Sequence, residues 1–194
     1  MHTTLRLIHE HDACVGRYRH LSKALGGIKK WGRDTPITFP RLVELNGLDD
    51  ALWALRAVPD EQIKLRDFIA RLFACACAER VLPIYEKKYP TSQNVRLCIE
   101  ASRNFAYGLI TDKERAAAAW AAWAAAAWAA PSAEAWSAAA AAAWPAASAA
   151  ASARAARPEA ARVAELDWQK DCFLKLLAEH DTAEEERHEP ILTF

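Results

Sequence analysis

Glycine is scarce in this chain, six among 194 residues, and no G-x-S-x-G, P-loop, H-E-x-x-H or dinucleotide fingerprint occurs. Those motifs hold nucleophiles, phosphates or metals on tight turns and helix starts, so an enzyme is disfavoured. No catalytic residue, cofactor or metal ligand is expected. Threonine is missing from residues 112–181, which removes the hydroxyl array an alanine-rich ice-binding helix would need. Leu, Ile, Val and Phe are missing between Arg115 and Arg154. Charge-free windows on either side of Glu134 are long enough to cross a bilayer, but alanine is only marginally apolar and prolines and serines interrupt them. No membrane partner is expected. The start, MHTTLRLIHEHDAC, has no apolar run for a signal peptide. Five cysteines (14, 75, 77, 98 and 172) are an odd number without the spacing of a small secreted domain. A reducing cytoplasm with free, mostly buried thiols is the expectation.

What the chain has in abundance is alanine, in a stretch over residues 112–163 broken by Trp120, Trp123, Trp128, Trp136 and Trp144 and by Pro131, Pro145 and Pro158. Alanine is the best helix former, but its methyl buries too little area to drive packing. A buried Trp removes about 150–250 Å² from water, at most about 4–6 kcal/mol. The alanines are therefore expected to form closely approaching helices, with most of the tryptophans buried against residues 60–109. Pro131 and Pro158 fit helix starts; Pro145 fits a start or a kink.

The rest of the chain shows helical spacing throughout and no alternating run long enough for a strand. Leu5 and Ile8 mark a first helix. Asp12 is placed to cap a second one carrying Val15, Tyr18, Leu21 and Leu25, stopped by Gly26-Gly27. IKKWGRDTPITFP reads as a basic loop. Thr38 offers an N-cap with Pro40 in the first turn, and Asn46-Gly47 stops that helix. LDDALWALRAVP follows, with Asp49 or Asp50 at its start and Ala51, Leu52 and Leu55 on one side. A longer helix places Ile63, Ile69, Leu72, Phe73, Ala76 and Val81 inward; Pro83 kinks or ends it, and Tyr85 returns to the core. Ser92 is placed to cap a helix with Val95, Cys98, Ile99, Ser102, Phe105 and Leu109 inward. Thr111-x-x-Glu114 is a capping box. A last long helix, about 158–179, is expected to bury Val163, Leu166, Phe173, Leu174 and Leu177. The chain therefore reads as a single-domain, all-α multi-helix bundle: mixed helices over 1–110, Ala/Trp-rich helices over 111–181, an acidic tail over 182–194.

Charge is balanced, 25 basic against 25 acidic side chains, so the whole has no bias towards nucleic acid or acidic lipid. Residues 1–115 carry 19 basic and 14 acidic groups, leaving 6 and 11 for the remainder. The basic residues at 17, 19, 23, 29, 30 and 33, with Tyr18 and Trp31, keep open an alternative: an all-α regulatory or nucleic-acid-binding module using the N-terminal third. The neutral total makes nucleic acid the less favoured partner. Cys75 and Cys77 form a C-x-C on a helix, where two steps turn the side chains about 200° apart. That suits core packing and spoils a chelate or redox pair. His9, His11 and His20 with Asp12 are scattered too widely along a helix to share one ion; a solvated polar face fits better, and a site completed from elsewhere in the chain stays open. Glu44, Asp49 and Asp50 are an acidic cluster. Capping and the helix dipole account for Asp49 and Asp50, while a basic partner or an arginine of the same chain is the other reading.

Two blocks, LNGLDDALWALRAVP and RLFACACAERVLPIYEKKYP, precede a helix, a glycine, an x-T-x-x-E start and Ala/Trp repeats. In order and spacing they resemble a family of bacterial immunity proteins associated with polymorphic-toxin systems, over roughly residues 38–178. Where this chain has Ala76, family members often carry an acidic residue, and they have more arginines in the alanine region. The resemblance implies an all-helical cytoplasmic protein whose partner is a cognate toxin, neutralised by occlusion. By residue type the partner-binding candidates are Asp49, Asp50, Trp53 and Arg56, with any exposed Trp of the C-terminal run.

Overall fold

The structure, a computed structural model, describes residues 1–128, 151, 153–155 and 159–188, with side chains for all of these but 121–128 and 181–188. The fold is all-α apart from one two-stranded ladder. The chain divides into two compact units: Met1–Ile69 with Phe173–Phe194, and Ala70–Cys172.

In the first unit, β1 (His2–Thr3) runs antiparallel to β2 (Ile37–Thr38), His2 opposite Thr38 and Thr3 opposite Ile37. Strands of two residues are too short to show alternation, which is why the sequence gives no sign of them. The Thr3 hydroxyl donates to the Ala57 carbonyl, and the His2 N–H donates to Gln62 Oε1 at 2.9 Å. Helix α1 (Leu5–Glu10) is capped by Thr4, whose hydroxyl accepts from the Leu7 N–H at 3.1 Å. Helix α2 (Val15–Ala24) starts at Cys14, correcting the expected cap at Asp12. Asp12 instead takes a left-handed φ of 57° in the turn after α1, a conformation Asp tolerates better than most residues. Of the expected apolar face Leu21 and Leu25 are buried, whereas Val15 is exposed. A short helix α3 (Ile28–Trp31) interrupts the stretch read as a loop.

Helix α4 (Phe39–Asn46) has the expected cap: Thr38 Oγ1 accepts from the Arg41 N–H at 3.4 Å, with Pro40 in the first turn. Helix α5 (Leu48–Ala54) follows after Gly47 alone, then a 3₁₀ turn Leu55–Ala57. Phe39, Leu42, Val43, Ala51, Leu52 and Leu55 are buried. The last helix, α9 (Glu159–His188), brings Phe173 edge-on to Phe39 with ring centroids 6.3 Å apart, and His180 edge-on to Phe68 at 4.9 Å.

Helix α6 (Ile63–Lys88) carries Leu72, Phe73, Val81, Leu82 and Tyr85 into the core of the second unit; Ala76 is half-buried. Pro83 does not end it. Proline removes one N–H and so one helical bond, and here the helix runs on to Lys88. Helix α7 (Asn94–Ala106) begins after Gln93, and Ser92 is not its cap. The Ser92 hydroxyl instead meets the Tyr85 hydroxyl at 3.0 Å. Val95, Cys98, Ile99 and Ser102 are buried as their spacing requires. Leu109 is exposed, against expectation, because the chain has left the helix by Gly108, whose φ is +71°.

Helix α8 (Asp112–Trp128) opens on the capping box: Thr111 N–H and hydroxyl both donate to Glu114 Oε2 at 2.8 Å, and the Glu114 N–H donates to Thr111 Oγ1 at 3.3 Å. Ala119 packs against the buried Cys98 of α7. Trp120 is 68% exposed, an exception to the burial expected of most of these tryptophans. It follows Ala119 by one residue, about 100° round the helix from the face that meets α7. The side chains of Trp123 and Trp128, and Trp136, Trp144, Pro131, Pro145 and Pro158 entirely, lie outside the described residues.

On α9 the expected burial of Val163 and Leu166 is also overturned: both are exposed. The buried line is Glu165, Gln169, Phe173 and Leu177, a strict four-residue step. Two polar side chains occupy its first half, so an apolar count misplaces the face. Glu165 is buried because it accepts from Arg80 Nε at 3.0 Å and from Gln169 Nε2 at 3.3 Å. Arg80 also lies over the Trp168 ring, 4.5 Å from its centroid. The helix continues to His188, through the first half of the expected tail.

Two outcomes follow from this packing. Phe173→Ala should lower stability by about 3–5 kcal/mol in urea unfolding, the usual cost of emptying a closed aromatic site. The Thr111 amide and hydroxyl hold the Glu114 carboxyl below its ordinary value. A lowered folded pKa contributes stability above the unfolded value and loses it as pH falls through the folded one. Hydrogen-exchange protection at the start of α8, relative to the intrinsic rate at each pH, should therefore fall in that acid window, and Glu114→Gln should abolish the pH step.

Candidate functional site

The one-residue connection at Gly47 sets the geometry of the site. Gly47 is at once the C-cap of α4 and the N-cap of α5, with a φ of 84° that an L side chain rarely adopts. Asn46, the last residue of α4, consequently lies one helical step from Asp50, and its Nδ2 donates to Asp50 Oδ2 at 2.8 Å. Helix α2 crosses this corner and supplies Arg17. Arg17 Nε donates to Asp50 Oδ2 at 2.6 Å and its Nη2 to the Asn46 carbonyl at 2.6 Å; Asn46 Nδ2 also donates to the Arg17 carbonyl at 3.2 Å. Three helices are thus held by one hydrogen-bonded clasp.

Beside the clasp lies a cavity of about 170 Å³. Its apolar wall comes from α1, α2, α4 and α5, including Leu21, Leu42 and the Trp53 ring; its polar wall is Cys14, Arg17, Asn46, Asp49 and Asp50. Asn46 is 8% exposed, and its Oδ1 has no hydrogen-bond partner. Cys14 is exposed at the start of α2, where the backbone N–H groups of Arg17 and then Gly16 hold its thiol below the ordinary value. The cavity lining therefore combines apolar side chains, two carboxylates, one guanidinium and an accessible sulfur.

Three of the four residues singled out from sequence, Asp49, Asp50 and Trp53, line this cavity. The fourth, Arg56, is off the cavity wall but continuous with it: its guanidinium lies 4.9 Å from the Trp53 ring centroid, and its Nε donates to the Trp53 carbonyl at 3.2 Å. Asp50 faces an arginine of the same chain, Arg17. Glu44 is apart from them, bound to Arg41 at 2.6 Å. Sequence reasoning missed Cys14, Arg17 and Asn46 as members of one site. Asn46 was visible only as part of a helix stop, and Arg17 only as one of six basic residues.

The other candidates stay dispersed. His9 packs edge-on against Tyr18 with centroids 5.7 Å apart, and the His20 ring meets the Leu45 carbonyl at 3.2 Å. No three His, Cys, Asp or Glu side chains cluster as metal ligands among the described residues. Of the basic set, Arg19 and Lys23 line a second, open cavity of about 460 Å³ with Gly26 and Gly27. The C-x-C thiols are buried: Cys75 Sγ contacts the Ile99 carbonyl at 3.8 Å, and Cys77 is influenced by Cys172 and Glu165 of α9. Burial raises the Cys75 thiol to about 11 and Cys98 to about 12. Among the described residues no helix is long and apolar enough to cross a membrane. Comparison with family models, curated proteins and solved structures finds no match.

Replacing Arg17 by Met should cost about 1 kcal/mol in urea unfolding, the low end for a charged hydrogen bond, because the side chain is half exposed. A double-mutant cycle with Asp50→Asn should show coupling of the same sign. Additive effects would mean the clasp does not act as a unit.

Proposed function

We propose that the chain is a cytoplasmic immunity protein that binds a cognate bacterial toxin and neutralises it by occlusion. The sequence blocks around α5 and α6 support this reading. So does the gathering of Asp49, Asp50 and Trp53 on one cavity wall with Arg56 stacked beside them. That gathering carries the proposal, since anchors in protein interfaces are aromatic and arginine side chains next to small pockets. A cavity of this size accepts one partner side chain. Its apolar walls, with carboxylates among the lining residues, suit an apolar stem ending in a cation, as in Lys or Arg. Asp50 is bound to Arg17 and holds the corner; Asp49 and Trp53, which line the cavity beside it, make the contact.

Co-expression with the toxin encoded beside its gene is the test. Survival of the host and co-purification of a complex are expected, and Trp53→Ala should weaken that complex by about 2 kcal/mol or more. No rescue together with no complex would sink the reading.

A further inference from the structure

The corner between α2 and α3 has no part in the partner-binding reading. Arg19 and Lys23 stand four residues apart on α2 and line the open cavity of about 460 Å³ with Tyr18, Ser22, Gly26 and Gly27. The chain turns here because Gly26 and Gly27, with φ of 88° and 93°, close α2. The Gly26 N–H donates to the Lys23 carbonyl at 2.9 Å and the Gly27 N–H to the Ser22 carbonyl at 2.8 Å, so two end carbonyls of the helix are bound and do not oppose an anion. Lys30 of α3 lies back over this turn, its Cδ 3.1 Å and its Nζ 3.8 Å from where a Gly26 Cβ would stand. Three cations thus border one cavity. Acids of the same unit are committed elsewhere, Asp34 to Arg6, Glu44 to Arg41 and Asp50 to Arg17. Among the described residues none pairs with Arg19, Lys23 or Lys30. Ser22 is an independent observation. It is 9% exposed, and its hydroxyl makes no hydrogen bond among the described residues, yet unlike Asn46 Oδ1 it is open to solvent.

We propose that this cavity binds the diphosphate group of a small molecule. Arg19 offers a planar fork to phosphate oxygens, Lys23 and Lys30 act as point charges, and the Ser22 hydroxyl donates to one more oxygen. A single phosphate carries about 1.5–2 negative charges at pH 7, too few to match three cations. The four-residue step from Arg19 to Lys23 is a rise of about 6 Å, which two linked phosphates span better than one. The volume is about three times the ~150 Å³ that encloses a benzene ring, so the group that bears the diphosphate can enter as well. Nucleic acid is the less suited occupant. Its attraction accumulates over many phosphates along a basic track, whereas this chain is neutral as a whole and the three cations stand round one turn.

Sodium pyrophosphate is titrated into the full-length chain at low salt, with no partner protein present, and binding is followed by calorimetry and thermal shift. One site is expected, weakening as salt rises. Arg19→Gln, Lys23→Gln and Lys30→Gln should each weaken it about fivefold, the scale of one unit charge about 4 Å away in water. Lys64→Gln, the same charge loss on α6, should leave it unchanged. Ser22→Ala should weaken binding while the melting temperature of the free protein stays where it is, since the hydroxyl has no bond to lose. ADP separates the two sources of a diphosphate: tighter binding of ADP means an ester, tighter binding of pyrophosphate means the free anion, and either supports the site. No binding at millimolar pyrophosphate would overturn the proposal, as would sulfate binding as tightly or an equal loss in Lys64→Gln. So would a single-stranded oligonucleotide without a terminal phosphate that displaces pyrophosphate at lower strand concentration, which would assign the surface to nucleic acid. Because no toxin is present, this test can fail while the toxin-binding reading stands, and the reverse.

Discussion

A single glycine sets the arrangement of the first unit. With no linker between α4 and α5 beyond Gly47, the two helices meet at an angle that depends on one positive φ. No heavy atom lies within 4 Å of where a Cβ would stand, so the constraint is the backbone conformation and not crowding. The corner leaves polar groups facing inward, the Asn46 carbonyl and the Asp50 carboxylate, and buried polar groups must find partners. Arg17 satisfies both with one guanidinium, a fork whose donors suit two acceptors at once. The cavity is the space left beside that solution.

The alanine-rich region solves a different problem. Large side chains would hold α8 away from α7, whereas Ala119 lets the backbone approach the buried Cys98. Large apolar side chains of the second unit are buried on α6 and α7, where Phe73, Tyr85 and Ile99 stand. Polar groups also contribute there: Arg80 reaches Glu165 and the Trp168 face together, and Arg103 reaches Glu79 at 2.6 Å. Trp120 is exposed one residue further on, so alanine at this point of the helix is a packing surface in its own right.

Local chemistry explains which parts of this were legible in the sequence. Thr38 with Pro40, and Thr111 with Glu114, act through hydrogen bonds within four residues, and both caps stand where those residues predict them. The inward positions of α7 from Val95 to Ser102 were likewise readable, because an amphipathic helix is set by its own spacing. Illegible features depend on distant partners or on exceptions to apolar counting. The ladder between His2–Thr3 and Ile37–Thr38 joins segments far apart in the chain and is too short to leave a pattern. The inward face of α9 contains Glu165 and Gln169, which are buried only because Arg80 stands opposite. Asp12 lost its role as a cap to a left-handed turn that brings Cys14 to the helix start.

The same distinction separates the roles within the acidic pair on α5. From sequence, Asp49 and Asp50 are interchangeable: adjacent carboxylates in the first turn, each favoured by the helix dipole. In the fold they differ by about 100° of rotation, and that rotation decides everything. Asp50 turns towards Asn46 and Arg17, where its charge is neutralised and holds three helices together. Asp49 stays exposed and lines the cavity wall with Trp53, one turn further along α5. The helix dipole treats the two carboxylates alike, since both stand in the first turn. The clasp does not, because only the face that Asp50 occupies turns towards the end of α4 and towards α2. Two adjacent acids of identical local chemistry are therefore assigned different places by partners 33 and 4 residues away from Asp50, which no local reading of α5 contains.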